Sequence, residues 1–436
     1  MANSPVQATI FSYQVGFGDC FLLRFTYGDG TQRHLLIDFG TTGIPDDAEK
    51  DLMAKVASDI ATRCGGRLEA IVATHRHADH ISGFTTKADG TGSGDIIAAL
   101  DVGAVIQPWT EAPDEEEDSL GPAIDSAERS MAARKRSLAD MQSLAERLVA
   151  MMGQDGALKG MSADVSRQLA FIGRDAVKNL PAVENLMAIG KRSRAIYAFH
   201  GLDLGIDDLL PGVTTHVLGP PTLKQTETIR KQRSRDPDEY WHFALQGLQL
   251  DRDFAVSEDE TRLFPGHPFI RGSKLPVEVR WVAGRLDRGR AEQYLSIVTA
   301  LDKALNNTSL ILLFEVGGKK LLFPGDAQIE NWRYALSQEK IVALLQDVDL
   351  YKVGHHGSLN ATPRSMWSAF SKRGDEDKKG RLTTLLSTMP GKHGSEKRDT
   401  EVPRRTLLDE LRKESNLFST DDMPADQLFQ EVTIDL

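Results

Sequence analysis

Apolar positions along the chain come first in short runs bounded by glycine, a texture that predicts strands. Residues 7–39 read as two strands joined by a hairpin. QATIFSYQV and CFLLRFTY are β-rich, and Gly28-Asp29-Gly30 supplies a turn before RHLLIDFG. Leu52, Val56 and Ile60 then recur at spacings of four, which predicts a helix over 46–64. LEAIVAT (68–74) follows as a short buried strand. The same texture returns in TTHVLGPP (214–221), in a hairpin around Gly317-Gly318 within SLILLFEVGGKKLLFPGD (309–326), and in VDLYKVGHHGS (348–358). A helix is predicted near 328–345, and LLSTMPGKHGSEKRDTEVPRRTLLDEL (385–411) runs from a strand into a helix.

Two stretches interrupt this pattern. Over about 119–195, Ile124, Ala127, Met131, Leu138, Met141, Leu144 and Leu148 fall near helical spacing, with Pro122 near the start and Gly153 at the end. A second helical segment covers about 164–189, interrupted near Pro181. The whole reads as a helical insertion or cap, its methionine-rich stripe belonging to a core. Residues 222–290 are irregular and charge-rich, a second insertion. The length suggests one large domain with insertions, or two ordinary domains.

Composition narrows the class. The chain has 436 residues, 40% hydrophobic and 26% charged, enough apolar material for a core. Its 52 basic and 63 acidic residues give a net charge of −11, which argues against a surface that coats nucleic acid generally. Local basic runs remain at 134–136, 190–194, 229–235 and 392–398. Cys20 and Cys64 are the only cysteines, so no disulfide framework is expected. The first residues carry no basic segment followed by a long apolar run, and no stretch approaches the ~20 apolar residues that cross a bilayer. A cytoplasmic protein is expected.

The candidate chemistry is concentrated. In IVATHRHADHISGF, His75, His77, Asp79 and His80 fall within six positions, directly after a strand. Imidazoles and a carboxylate on one tight loop suit zinc, manganese or iron, and four such groups can serve two neighbouring ions. Asp326 closes the strand LLFPGD, and His355-His356 close LYKVGHH. Strand ends of one sheet that each carry a metal-binding side chain can converge on one edge. One of His355 and His356 should bind metal, and the residues alone leave open which.

These blocks resemble the metallo-β-lactamase fold of binuclear metallohydrolases. VGFGDCFLLRF, LLIDFG, THRHADHISGF, NNTSLILLFEVGGKKLLFPGDA and YKVGHHGS stand in that family's order. They are most similar to the hydrolase domain of competence DNA-uptake proteins of the ComEC type and their soluble stand-alone relatives. The resemblance covers about the first 110 residues and roughly 300–360.

The resemblance implies an α/β fold, a four-layer αββα sandwich forming a single domain over 1–436 that carries both insertions, and two divalent ions, zinc or manganese. His75 and His77 would hold the first ion. Asp79, His80 and His355 or His356 would hold the second, and Asp326 would bridge. Asp38 would brace the signature loop, and Asp19 could sit near the same edge or only form a turn. One departure stands out: Asn306 and Asn307 occupy a region where many members place a histidine. An amide oxygen is a weaker zinc ligand than imidazole. His200, His216, His242 and His267 could replace it only through a returning loop. His393, in a Gly- and Lys-rich loop, is a candidate substrate contact.

A bridging water activated by two ions, becoming a metal-bound hydroxide, makes metal-dependent hydrolysis the simplest chemistry. Three functions compete: a phosphodiesterase or nuclease, a small-molecule ester, lactone or amide hydrolase, and a non-catalytic metal-binding scaffold. The first implies a nucleic-acid or other phosphodiester substrate, guided by the basic runs. A protein partner or homo-oligomer is also expected, and no membrane.

Overall fold

The computed structural model describes residues 4–45, 48–49, 51–112, 179–222, 225–226, 306, 308–358, 362–392, 401–424 and 426–436. Thr226 apart, these residues belong to one compact unit. Most of the expected insertions, 119–195 and 222–290, lies outside the described residues, as do Asn307 and His393.

The protein is a mixed α/β structure with two mixed sheets. The first contains β1 (Pro5–Tyr13), β2 (Cys20–Tyr27), β3 (Gln32–Phe39), β4 (Arg67–Val72), β5 (Asp101–Pro108), β6 (Ala195–Ala198) and, at its edge, β13 (Phe429–Asp435). Its order is β13-β1-β2-β3-β4-β5-β6, antiparallel as far as β3 and parallel from β3 to β6. The second sheet contains β7 (Val213–Gly219), β8 (Ile311–Val316), β9 (Lys319–Phe323), β10 (Leu350–Lys352), β11 (Thr383–Leu386) and β12 (Asn416–Ser419). Its order is β12-β11-β10-β9-β8-β7, parallel from β9 to β12 and antiparallel from β7 to β9.

Eight α-helices are described: α1 (Leu52–Arg63), α2 (Ala78–Ile81), α3 (Ser93–Ala98), α4 (Leu180–Arg192), α5 (Ile329–Leu336), α6 (Glu339–Gln346), α7 (Arg364–Ala369) and α8 (Arg405–Glu414). Strand alternation sorts the apolar side chains into three clusters. Phe21, Leu23, Leu35 and Ile37 of the first sheet share a core with Leu312, Phe314 and Phe323 of the second. The Phe21 and Phe323 rings meet at 5.9 Å. Leu22, Leu36 and Ile71 join Val56 and Ile60 of α1 and Leu186 of α4. Leu313, Leu322 and Tyr351 join Trp332, Leu345, Met366 and Leu411 from α5–α8. Each fully buried side chain of this kind contributes roughly 1.5–3 kcal/mol.

Three details depart from the sequence pattern. Residues 7–39 form three strands rather than two, because the turn at Gly28–Gly30 returns RHLLIDFG beside CFLLRFTY. Pro181 does not interrupt its helix; it stands in the first turn of α4, where the missing N–H leaves no bond unmade. The helix expected over 328–345 is two helices, α5 and α6, separated at Ser337-Gln338, where Ser337 N–H turns back to Arg333 and Tyr334. The hairpin at Gly317-Gly318 forms as expected, both glycines at positive φ (56° and 77°) as a two-residue turn requires. No helix among the described residues is long and apolar enough to cross a membrane.

Candidate metal centre

The carboxyl ends of β3, β4, β9 and β10 lie at one edge, where open α/β sheets commonly place ligands. Asp19 joins them because β2 runs antiparallel to β3, which sets the start of one beside the end of the other. The two sheets are tied together here by Leu310 N–H, which donates to Thr74 O at 2.9 Å.

Asp38 reaches the edge through a β-bulge. Cys20 pairs with Phe39 and Phe21 with Ile37, so Asp38 is left without a partner residue, at φ 55°. Its carboxylate accepts from Thr74 N–H and Thr74 Oγ1–H, both at 2.7 Å, and from His80 Nδ1–H at 2.7 Å. With Nδ1 committed as a donor, His80 aims the lone pair of Nε2 at Asp326 Oδ2, 3.1 Å away. The pair is misaligned for a hydrogen bond. His356 is set the same way: Nδ1–H donates to Ser387 O at 3.0 Å, and Nε2 stands 3.0 Å from Asp79 Oδ2 and 3.9 Å from Asp326 Oδ2. The Phe17 ring backs His356 at 4.3 Å.

Asp79, His80, Asp326 and His356, all buried, bring ligand atoms within 4.8 Å of one another. His75, His77 and Asp79 form an adjoining group, in which His75 Nε2 and His77 Nδ1 stand 3.0 Å apart. Around a tetrahedral zinc with bonds near 2.0–2.1 Å, neighbouring ligand atoms lie about 3.3 Å apart. The observed spacings of 3.0–3.9 Å fit that edge. Two facing lone-pair atoms repel unless a proton or a cation sits between them, so this donor set suits divalent ions.

The charges agree. Burial disfavours a charged His80, yet Asp326, Asp38 and Asp79 outweigh it and hold the ring well above its ordinary pKa. His356 is likewise raised, Asp19 and Asp79 overcoming burial. Burial, reinforced by His80 and His77, pushes His75 well down. Burial favours the neutral acid at Asp79 and Asp326, but His80 and its neighbours depress both.

No protein-family model and no curated protein matches the chain.

The structure therefore brings His75, His77, Asp79, His80, Asp326 and His356 together. His356, not His355, joins the group. His355 is partly exposed, its Nδ1 is hydrogen-bonded with Ser358 Oγ at 2.8 Å, and its backbone N–H donates to Asp326 Oδ1 at 3.0 Å. The choice is made by the backbone: His355, His356 and Gly357 all take positive φ (44°, 50° and 79°), turning the first ring outward and the second inward. Asn306 is buried with both amide atoms unpartnered, in a turn tied to the strand end that carries His75. His200 and His216 are engaged elsewhere, with Leu218 O and Glu315. His242 and His267 lie outside the described residues.

Sequence reasoning missed Thr74, Ser387 and Lys352. Lys352 had a signal: it is the one charged residue in the apolar run LYKV.

Proposed function

We propose that the chain is a divalent-metal-dependent phosphodiester hydrolase, a nuclease by preference, built on a four-layer metallo-β-lactamase sandwich. The observation that carries this reading is the buried Asp79–His80–Asp326–His356 group adjoining His75 and His77. Two sheets sharing one core, each with helices on its other face, are consistent with the sandwich.

His75 and His77 would hold one ion, with Asn306 as a weak further donor. Asp79, His80 and His356 would hold the second, and Asp326 would serve both. When bound, the ions supply an activated water and the positive charge that a phosphoryl oxygen needs during in-line displacement. The chain itself orients the ligands. Asp38 and Ser387 fix the tautomers of His80 and His356, and the buried edge limits competing water. His355, with its ring at the rim, would contact substrate.

One observation favours the runner-up, a small-molecule ester, lactone or amide hydrolase. Of the basic run at 190–194, Arg192 donates to Ala98 O and Arg194 pairs with Asp208 at 2.9 Å, so part of its charge is already engaged within the fold. The other runs lie outside the described residues, Lys392 apart.

The test is a panel of single- and double-stranded DNA, RNA, cyclic dinucleotides and esters, with manganese- or zinc-loaded protein and its Asp326→Ala variant. Phosphodiester cleavage that the substitution abolishes, and that falls as salt rises, supports the proposal. Ester cleavage alone, lost in the same variant, moves the function to the runner-up. Bound metal without any cleavage leaves the metal-binding scaffold, and no bound metal overturns all three readings.

A further inference from the structure

Lys352 sits where the strand pattern calls for an apolar residue. It follows Leu350 on the face of β10 that points between the sheets, and it is 2% exposed. Its ammonium has three acceptors: it forms a close ion pair with Asp19 Oδ2, donates to Gly325 O at 3.2 Å, and lies 3.5 Å from Asp326 Oδ1. Asp19 and Asp326 are as deeply buried as the lysine.

Two consequences follow from the atoms involved. Asp326 Oδ1 is engaged by Lys352 and by His355 N–H, so only Oδ2 faces His80 and His356. In addition, Asp19, Asp38 and His80 form a third group whose ligand atoms lie within 4.8 Å, and the Lys352 ammonium already occupies the Asp19 side of it. Burial works against the charged amine, but Asp19 and Asp326 outweigh it and keep Lys352 protonated.

We infer that Lys352 is a positioning residue of the metal centre: its ammonium holds Asp326 as a one-oxygen ligand and closes the Asp19–Asp38–His80 group to a further ion. The inference rests on the proposed metal-binding reading. It goes beyond it by giving a non-ligand residue control over how the shared carboxylate binds.

Lys352→Met alone strands a buried Asp19 carboxylate and could simply unfold the chain. The informative protein is therefore the double variant Asp19→Asn/Lys352→Met, which removes both members of the pair. Wild type and double variant are compared by thermal melting, by cobalt titration followed through the visible absorption bands, and by metal content after manganese loading. The double variant is expected to melt cooperatively, to bind the Asp326-dependent ion at least tenfold more weakly, and to show an altered cobalt spectrum, since partners of metal ligands commonly matter by 10–100-fold. If that double variant fails to fold, Lys352→Arg and Asp19→Asn/Lys352→Gln provide the second comparison: the first keeps the positive charge and should retain the Asp326-dependent ion, which the second, with the pair removed together, should lose. A double variant that binds both ions as tightly as wild type, with the same spectrum, overturns the inference and leaves the metal-binding reading standing. A wild type that binds no divalent ion overturns both.

Discussion

His80 Nδ1–H donates to Asp38 Oδ2 at 2.7 Å from a ring that is completely buried. This one bond decides which nitrogen of His80 faces Asp326. Asp38→Asn keeps the size of the side chain but offers a neutral amide in place of the carboxylate. Affinity for the ion held by His80 should fall 10–100-fold, with little change in secondary structure. Metal titration alongside circular dichroism checks this; unchanged affinity would remove Asp38 from the site.

The two adjacent histidines should behave differently. His356→Ala removes a ligand atom that stands 3.0 Å from Asp79 Oδ2, and should lower bound metal by about one equivalent. His355→Ala should retain the metal and alter turnover. Metal analysis of both variants separates the roles, and the reverse result would exchange them.

Divalent ions should stabilise the fold. Four buried carboxylates, Asp19, Asp38, Asp79 and Asp326, stand against the ammonium of Lys352 and the rings of His80 and His356, whose pKa values these carboxylates raise. Binding to the native state alone adds about 2.7 kcal/mol at a free-ion concentration a hundredfold above Kd. Manganese or zinc should raise the melting temperature and a chelator reverse it. An equal shift in the Asp326→Ala variant would place the binding elsewhere.

Gly40 lets α2 approach β3. A Cβ there would stand 2.5 Å from Ala78 O and from the carbonyl carbons of Asp79 and His80. Gly40→Ala should cost about 1–3 kcal/mol, or more where the backbone cannot yield, and should loosen metal binding because Asp79 and His80 must move. Denaturant unfolding and metal titration should shift together; a wild-type melting curve would show that the approach can relax.

His34 makes the fold acid-sensitive. Burial, with help from Arg24, lowers its pKa to about 4, against about 6.5 in the unfolded chain. The unfolded state therefore binds more protons between these values. The neutral ring's contribution is complete above pH ~6.5 and is lost as pH falls toward 4, by roughly 3 kcal/mol at most. Relative to His34→Gln, the wild type should lose stability across that window and keep a constant difference above it. A difference independent of pH would show that His34 does not titrate.

The signature cluster and most strands were legible in the sequence because both are local. A period of two marks a strand over a few residues, and four metal-binding side chains within six positions need no long-range contact to be noticed. Asp326 and the histidine pair were legible for the same reason, as polar ends to apolar runs. What only the tertiary structure decided depends on residues far apart in the chain. Strict alternation would set Asp38 opposite Ile37 and return Phe39 to the core between the sheets. The bulge breaks that register, so Phe39 packs against the helices and the carboxylate turns to Thr74 and His80. Three consecutive positive φ angles choose His356 over His355, and a carbonyl 31 residues further on fixes its tautomer. Lys352 reads as a break in an apolar strand until Asp19, more than three hundred residues earlier in the chain, is folded against it. Hydrophobic period is a property of neighbours in sequence, whereas pairing a buried charge requires the partner that folding brings.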